Sequence, residues 1–77
     1  MSDILNDEDI AMKPHERRVV QEKRELDERA TKLSEFIGTS SIFPTLPVDE
    51  QERLREQCEI MWQYSEILGK RIAAFPV

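Results

Sequence analysis

The chain has 77 residues, a size that allows one domain and only a marginal hydrophobic core. It contains one cysteine and one histidine, which excludes an internal disulfide and a closed zinc site built from Cys and His ligands. We therefore expect no metal and no cofactor, and oligomerisation remains as the usual way to stabilise so small a scaffold. The formal net charge of −5 argues against a duplex nucleic acid partner, because such binding depends on neutralising phosphates.

The first twelve residues are acidic. Residues 1–12 carry four acidic side chains and no basic one. Two interpretations stay open for this N-terminal segment: a free tail, or a short helix that docks on a neighbouring chain through Ile4, Leu5 and Ile10. The segment lacks the basic and apolar regions of a secretory signal, and no apolar run reaches membrane-spanning length. We expect a cytoplasmic protein with no membrane partner.

The remaining residues, 13–77, predict a helical hairpin. Pro14 is typical of a first helical turn, and a stripe of apolar residues from Val19 to Ile37 predicts the first helix over residues 14–37. Residues 38–47 are rich in Gly, Ser, Thr and Pro and predict a connector, with Gly38 ending the first helix. Within the connector, Ile42, Phe43 and Leu46 are expected to plug the end of the hairpin.

The second helix is predicted over residues 48–74. Its inward stripe has steps of four and three residues along Leu54, Cys58, Met61, Ser65, Leu68, Ile72 and Phe75. A second apolar stripe beside it needs another partner, for which a second copy of the chain is the natural candidate. We assign Ile60, Trp62, Tyr64 and Ile67 to a subunit interface. The predicted fold class is all-α: an antiparallel two-helix hairpin with a short N-terminal segment or helix, assembling into a helical homo-oligomer.

Five cationic or ionisable side chains fall at one end of such a hairpin. His15, Arg17 and Arg18 begin the first helix, whereas Lys70 and Arg71 end the second. Guanidinium groups near a helix start can hold phosphate, and a histidine ring can stack on a base. The alternative is that all five are solvated helix ends, with Lys70 and Arg71 interacting with the negative end of their helix.

The sequence offers no arrangement typical of an enzyme. Cys58 lies on the inward stripe and is interpreted as a small buried apolar residue. No Gly-rich phosphate loop, metal motif or Ser/His/Asp arrangement is present. Binding or interaction is therefore the expected class of function.

Two segments together resemble one known family. The run PHERRVVQEKRELDERATKLSEFI is followed by EQERLREQCEIMWQYSEILGKRIAAF, and the pairing covers about residues 14–75. It resembles the phage anti-CBASS proteins that act as cyclic-nucleotide sponges. The resemblance implies short helical hairpins assembled into hexamers, which bind cyclic dinucleotides and cyclic trinucleotides and withhold them, uncleaved, from a bacterial antiviral effector.

The resemblance also implies site residues. The family's dinucleotide pocket uses an early aromatic residue, which corresponds to His15 here, and a lysine across a subunit boundary, for which Lys32 is the nearest match. The trinucleotide site uses a late arginine, which corresponds to Arg71. A histidine in place of the aromatic residue is a departure from the family pattern. A different class of function stays open: a small acidic helical module that acts as adaptor or inhibitor of a host protein, with the acidic segment as its contact.

Overall fold

The computed structural model describes residues 12–76, in which two long helices form an antiparallel hairpin. The first helix, α1, spans Pro14–Thr39. Proline at its first position lacks only an N–H that would have no partner in the helix. The carboxylate of Glu16 accepts a hydrogen bond of 2.9 Å from the backbone N–H of Lys13, which anchors the helix start. The predicted acidic segment lies outside the described residues except for Met12.

The end of α1 differs from the prediction. The helix passes through Gly38, whose φ is not positive, and continues for one more residue. Thr39 donates its hydroxyl to the carbonyl of Glu35 at 2.7 Å, and the N–H of Ser40 bonds to the carbonyl of Phe36. At many helix ends a glycine in the left-handed conformation lets the following N–H groups bond to the last carbonyl groups. Here the bonds from Thr39 and Ser40 satisfy two of these carbonyl groups, so the prediction that Gly38 ends the helix was wrong.

The connector, residues 40–47, contains a single 3-10 turn at Phe43–Thr45. Phe43 is buried and meets Phe36 edge to face, with ring centroids 5.9 Å apart. The guanidinium of Arg55 lies over the Phe43 ring, 5.0 Å from its centroid. Phe43 thus plugs the hairpin end as predicted and Leu46 is half-buried, but Ile42 is exposed.

The second helix, α2, spans Val48–Ala73. Asp49 and Glu50 lie in its first turn and Lys70 and Arg71 in its last, each near the helix end of opposite partial charge. The predicted inward stripe is confirmed, since Ser65 and Leu68 are buried and its other members are half-buried.

The core between the helices is small. Its buried apolar members on the two helices are Val19, Leu26, Ala30 and Leu68. Half-buried Met61, Ile72 and Phe75 pack against Val19, Leu26 and Leu68. The all-α hairpin is confirmed, and the described residues form no strand.

Candidate functional site

The candidate site lies at the open end of the hairpin, opposite the connector. α1 contributes the side chains of His15, Arg17 and Arg18, and α2 contributes those of Lys70 and Arg71. All five are exposed. The antiparallel arrangement therefore brings the predicted cations to one end, where solvent and ligands can reach them.

The register of the hairpin sets how these cations align. Asp27 faces Ser65, and Ser34 faces Cys58, so the numbers of facing residues total 92 in both pairs. The same register places Arg71 level with Gln21, six residues further along α1 than His15. At 1.5 Å per residue, His15 and Arg71 are offset by about 9 Å along the hairpin axis. Arg18 is only three residues short of the level of Arg71, so the five side chains are spread along the hairpin axis rather than set at one level.

Arg71 continues the outward apolar stripe of α2. We define the outward stripe as Ile60, Tyr64 and Ile67, whose steps of four and three residues place them on one helix face. Ile60 is 54% exposed, Tyr64 44% and Ile67 51%. Another step of four residues leads to Arg71. A partner that covered the outward stripe would therefore also approach the Arg71 guanidinium.

Lys32 lies apart from the open end. It is exposed and lines a shallow depression on α1 together with Arg24, Asp27, Glu28, Thr31 and Glu35. It follows Arg18 by fourteen residues, which corresponds to about 21 Å along a helix. Within one chain the structure does not bring Lys32 to the other cations.

Trp62 belongs to a different face from the outward stripe. Its indole Nε1 donates a hydrogen bond of 3.1 Å to Ser34 Oγ on α1. The same hydroxyl lies 3.1 Å from Cys58 Sγ, which is half-buried rather than fully buried as expected. The four residues assigned to a subunit interface therefore divide between two faces of α2.

A polar network that the sequence analysis did not identify connects the helices midway along the hairpin. Lys23 Nζ donates to Asp27 Oδ2 at 2.7 Å and to Ser65 Oγ at 3.1 Å, and the Ser65 hydroxyl donates to Asp27 Oδ1. The hydrogen bond from Lys23, followed by that from Ser65, holds the pKa of Asp27 below its ordinary value, although partial burial opposes the shift. The signal was available: Lys23 interrupts the apolar stripe of α1, Asp27 follows four residues later, and Ser65 is polar on the inward stripe.

Glu16 is a second residue that sequence reasoning missed. Its side chain is buried at the cationic end, next in sequence to His15 and Arg17. Its position three residues after Lys13 matches the acidic member of a capping box, which was the signal that could have identified it.

The described residues present neither a metal-binding group nor a membrane-spanning helix. Residues 12–76 contain no group of three or more His, Cys, Asp or Glu side chains arranged to hold a metal ion. No helix in the same range is long and apolar enough to cross a membrane.

The described residues form a two-helix, all-α hairpin with exposed basic side chains at its open end, a residue type that can form charge-assisted hydrogen bonds with anions. The chain belongs to the Sequestin family, whose model matches residues 13–74. Sequestin is the family of phage anti-CBASS cyclic-nucleotide sponges, so the resemblance seen in the sequence is confirmed. Its members are sequestering binding proteins, which indicates a sequestering role against host defence. Neither the comparison with curated proteins nor that with solved structures gives a match.

Proposed function

We propose that this protein binds cyclic dinucleotide and cyclic trinucleotide messengers in the cytoplasm of the infected bacterium and withholds them, uncleaved, from CBASS effectors. The observation that carries the proposal is the family match, which spans residues 13–74 and so includes both cationic helix ends. The exposed histidine and arginine side chains supply suitable chemistry: guanidinium groups form charge-assisted hydrogen bonds with phosphates, and an imidazole ring can stack on a base.

The ligand site is completed by a second copy of the chain. Lys32 is about 21 Å along α1 from Arg18, so the two side chains of one hairpin cannot both contact the same small ligand. The outward stripe supports such an assembly, because its three large apolar side chains are about half exposed. A two-fold contact would present the same residues twice to a ligand that is itself nearly symmetric. A hexamer is the assembly expected from the family resemblance.

The affinity required of a sponge is within reach of this chemistry. A nanomolar complex requires a binding free energy of about −12 kcal/mol. Two phosphates held by charged donors, together with two stacked bases, can supply a binding free energy of this size.

The first test is isothermal titration with 3′,3′-cyclic GMP–AMP, followed by a cyclic trinucleotide, with chromatography of the recovered ligand. We expect tight binding of the dinucleotide at about one ligand per two chains, and recovery of the ligand intact. If neither ligand gave detectable binding, the proposal would be overturned, and the alternative function, a small acidic module that docks on a host protein, would be favoured. A cleaved ligand would overturn the sequestering mechanism.

The site assignment has its own test. Replacing Arg71 by Ala should weaken binding of the trinucleotide by about 10- to 100-fold, because a charge-assisted hydrogen bond contributes roughly 1.5–3 kcal/mol. His15→Ala should weaken binding of the dinucleotide in the same assay, because it removes the ring expected to stack on a base.

Arg53→Ala is the matched control for the Arg71 variant. Arg53 is exposed on the same helix, but it lies near the opposite end of α2 and pairs with Glu50 at 2.9 Å. We expect the control to bind both ligands as the parent does. Equal affinities for the parent and for the His15 and Arg71 variants would show that the nucleotide binds elsewhere.

A further inference from the structure

The two helices are joined midway by one arrangement of four residues. Lys23 and Asp27 are four apart on α1, and Ser65 and Gly69 are four apart on α2, so each pair lies on a single helix face. Ser65 is buried, and its hydroxyl is hydrogen-bonded to both α1 side chains. We call these four residues the interhelical lock.

Gly69 makes room for the lysine chain. A Cβ atom at this position would lie 3.3 Å from Lys23 Cε, closer than ordinary van der Waals contact. The side chain of Lys23 therefore passes over the backbone of α2 where that backbone has no side chain. The ammonium group then reaches both Asp27 and Ser65.

The spacing of the inward stripe does not by itself select one register. The stripe repeats every three to four residues, so displacing α2 by one turn brings another member of the stripe opposite each site on α1. One turn is about 5.4 Å, less than the length of two extended residues, so the eight-residue connector could accommodate it. Buried polar groups oppose such a displacement, because a hydroxyl or carboxylate moved against an apolar neighbour loses its hydrogen bonds.

We propose that the interhelical lock fixes the register of α2 on α1, and so sets how the cations of the two helices align at the open end. In this register Arg71 is level with Gln21. A displacement of one turn would move it about 5 Å along α1. Lys23, Asp27, Ser65 and Gly69 are thus positioning residues, and the inference about register holds whether or not a nucleotide is the ligand.

The test is a distance measurement between two spin labels on the full chain. Labels at Glu22 and Glu56, both exposed, are attached through cysteines after Cys58→Ala, and labelled chains are diluted with unlabelled ones. Glu22 is level with Lys70, so the labels are about 21 Å apart along the hairpin axis and a slip of one turn changes their distance by roughly 4–5 Å. We expect a single distance population in the parent.

Asp27→Leu combined with Ser65→Ala should remain helical and show a second population displaced by this amount. Asp27→Asn, which keeps the shape of the side chain, should show the same second population at a lower fraction. Ser34→Ala is the control, because Ser34 Oγ accepts the hydrogen bond of the Trp62 indole, a polar contact between the helices that remains after Cys58→Ala. We expect it to keep the parent distance.

A single parent distance in the apolar variant would overturn the proposal. Loss of helical circular dichroism in both Asp27 variants would overturn it as well, because the network would then supply stability rather than register.

Discussion

Of the two apolar faces of α2, one is buried in the hairpin and the other is exposed. On the inward stripe Leu68 is fully buried against Val19 and Leu26. On the outward stripe the neighbouring Ile67 is 51% exposed. The difference shows that the apolar content of this chain exceeds what one pair of helices can bury. The inward face accounts for the hairpin, whereas the outward face is exposed among the described residues and is the face that we propose a further copy covers.

Shortening Leu68 tests the inward face and should give the largest effect. Leu68→Ala removes a fully buried side chain, and such changes cost roughly 2–5 kcal/mol in the free energy of unfolding. Urea denaturation followed by circular dichroism at several protein concentrations gives the measurement. Ile67→Ala, one residue along, is the matched control.

The two substitutions should differ in how they depend on protein concentration. The Leu68→Ala loss belongs to the hairpin itself, so it should be similar at every concentration. A loss at Ile67 that arises from an interface should grow as the chain is diluted, because assembly stabilises by mass action. An Ile67→Ala effect as large as that of Leu68→Ala and independent of concentration would contradict the distinction between the two faces.

A charge on the outward stripe should separate the copies while leaving the hairpin intact. Ile67→Asp would place an unpaired carboxylate in the proposed interface, at a cost of several kcal/mol, which corresponds to association weakened by more than about tenfold. Sedimentation velocity should show a smaller particle with unchanged helical content. Glu66→Asp, which changes an exposed acidic residue one position away, should sediment as the parent does. Identical sedimentation of the Ile67 variant would exclude this stripe as an interface.

The sequence predicted the hairpin well because its signals are periodic. The inward stripe of α2 determines a helix and the face it buries, and both agree with the structure. The helix end at Gly38 was predicted from the residue type alone. In the structure, hydrogen bonds from Thr39 and Ser40 extend the helix instead.

The site was less predictable, because it depends on alignment between helices. Sequence identifies which cations lie at the open end, but the offset between His15 and Arg71 follows from contacts such as that between Asp27 and Ser65. Trp62 shows the same limit. Its residue type favours an interface, whereas in the structure its indole donates a hydrogen bond to Ser34 on the other helix. Pairwise contacts between distant segments are not encoded in the periodicity of either helix.

The smallest expected effect concerns the carboxyl group of Asp27 in the interhelical lock. The pKa of Asp27 is lowered by its hydrogen bonds, first from Lys23 and then from Ser65. A carboxyl group whose pKa is lower in the folded state contributes stability above its unfolded pKa of about 3.9, and that contribution is lost as the pH falls through the folded value. The melting temperature of the parent should therefore fall more steeply below about pH 4 than that of Asp27→Asn, which has no such proton to bind.

The comparison between parent and variant isolates Asp27 from the other acidic residues, which both proteins share. Glu22→Gln makes the same acid-to-amide change at an exposed position of α1 outside the interhelical lock. It should retain the steep decline of the parent, whereas parallel melting curves for the parent and Asp27→Asn would mean that the carboxylate contributes nothing to folding. The Lys23–Asp27 pair is about one-third exposed, so solvent screening keeps the difference in melting temperature between parent and variant small. A measurable difference would show that the inward face depends on charge as well as on apolar packing.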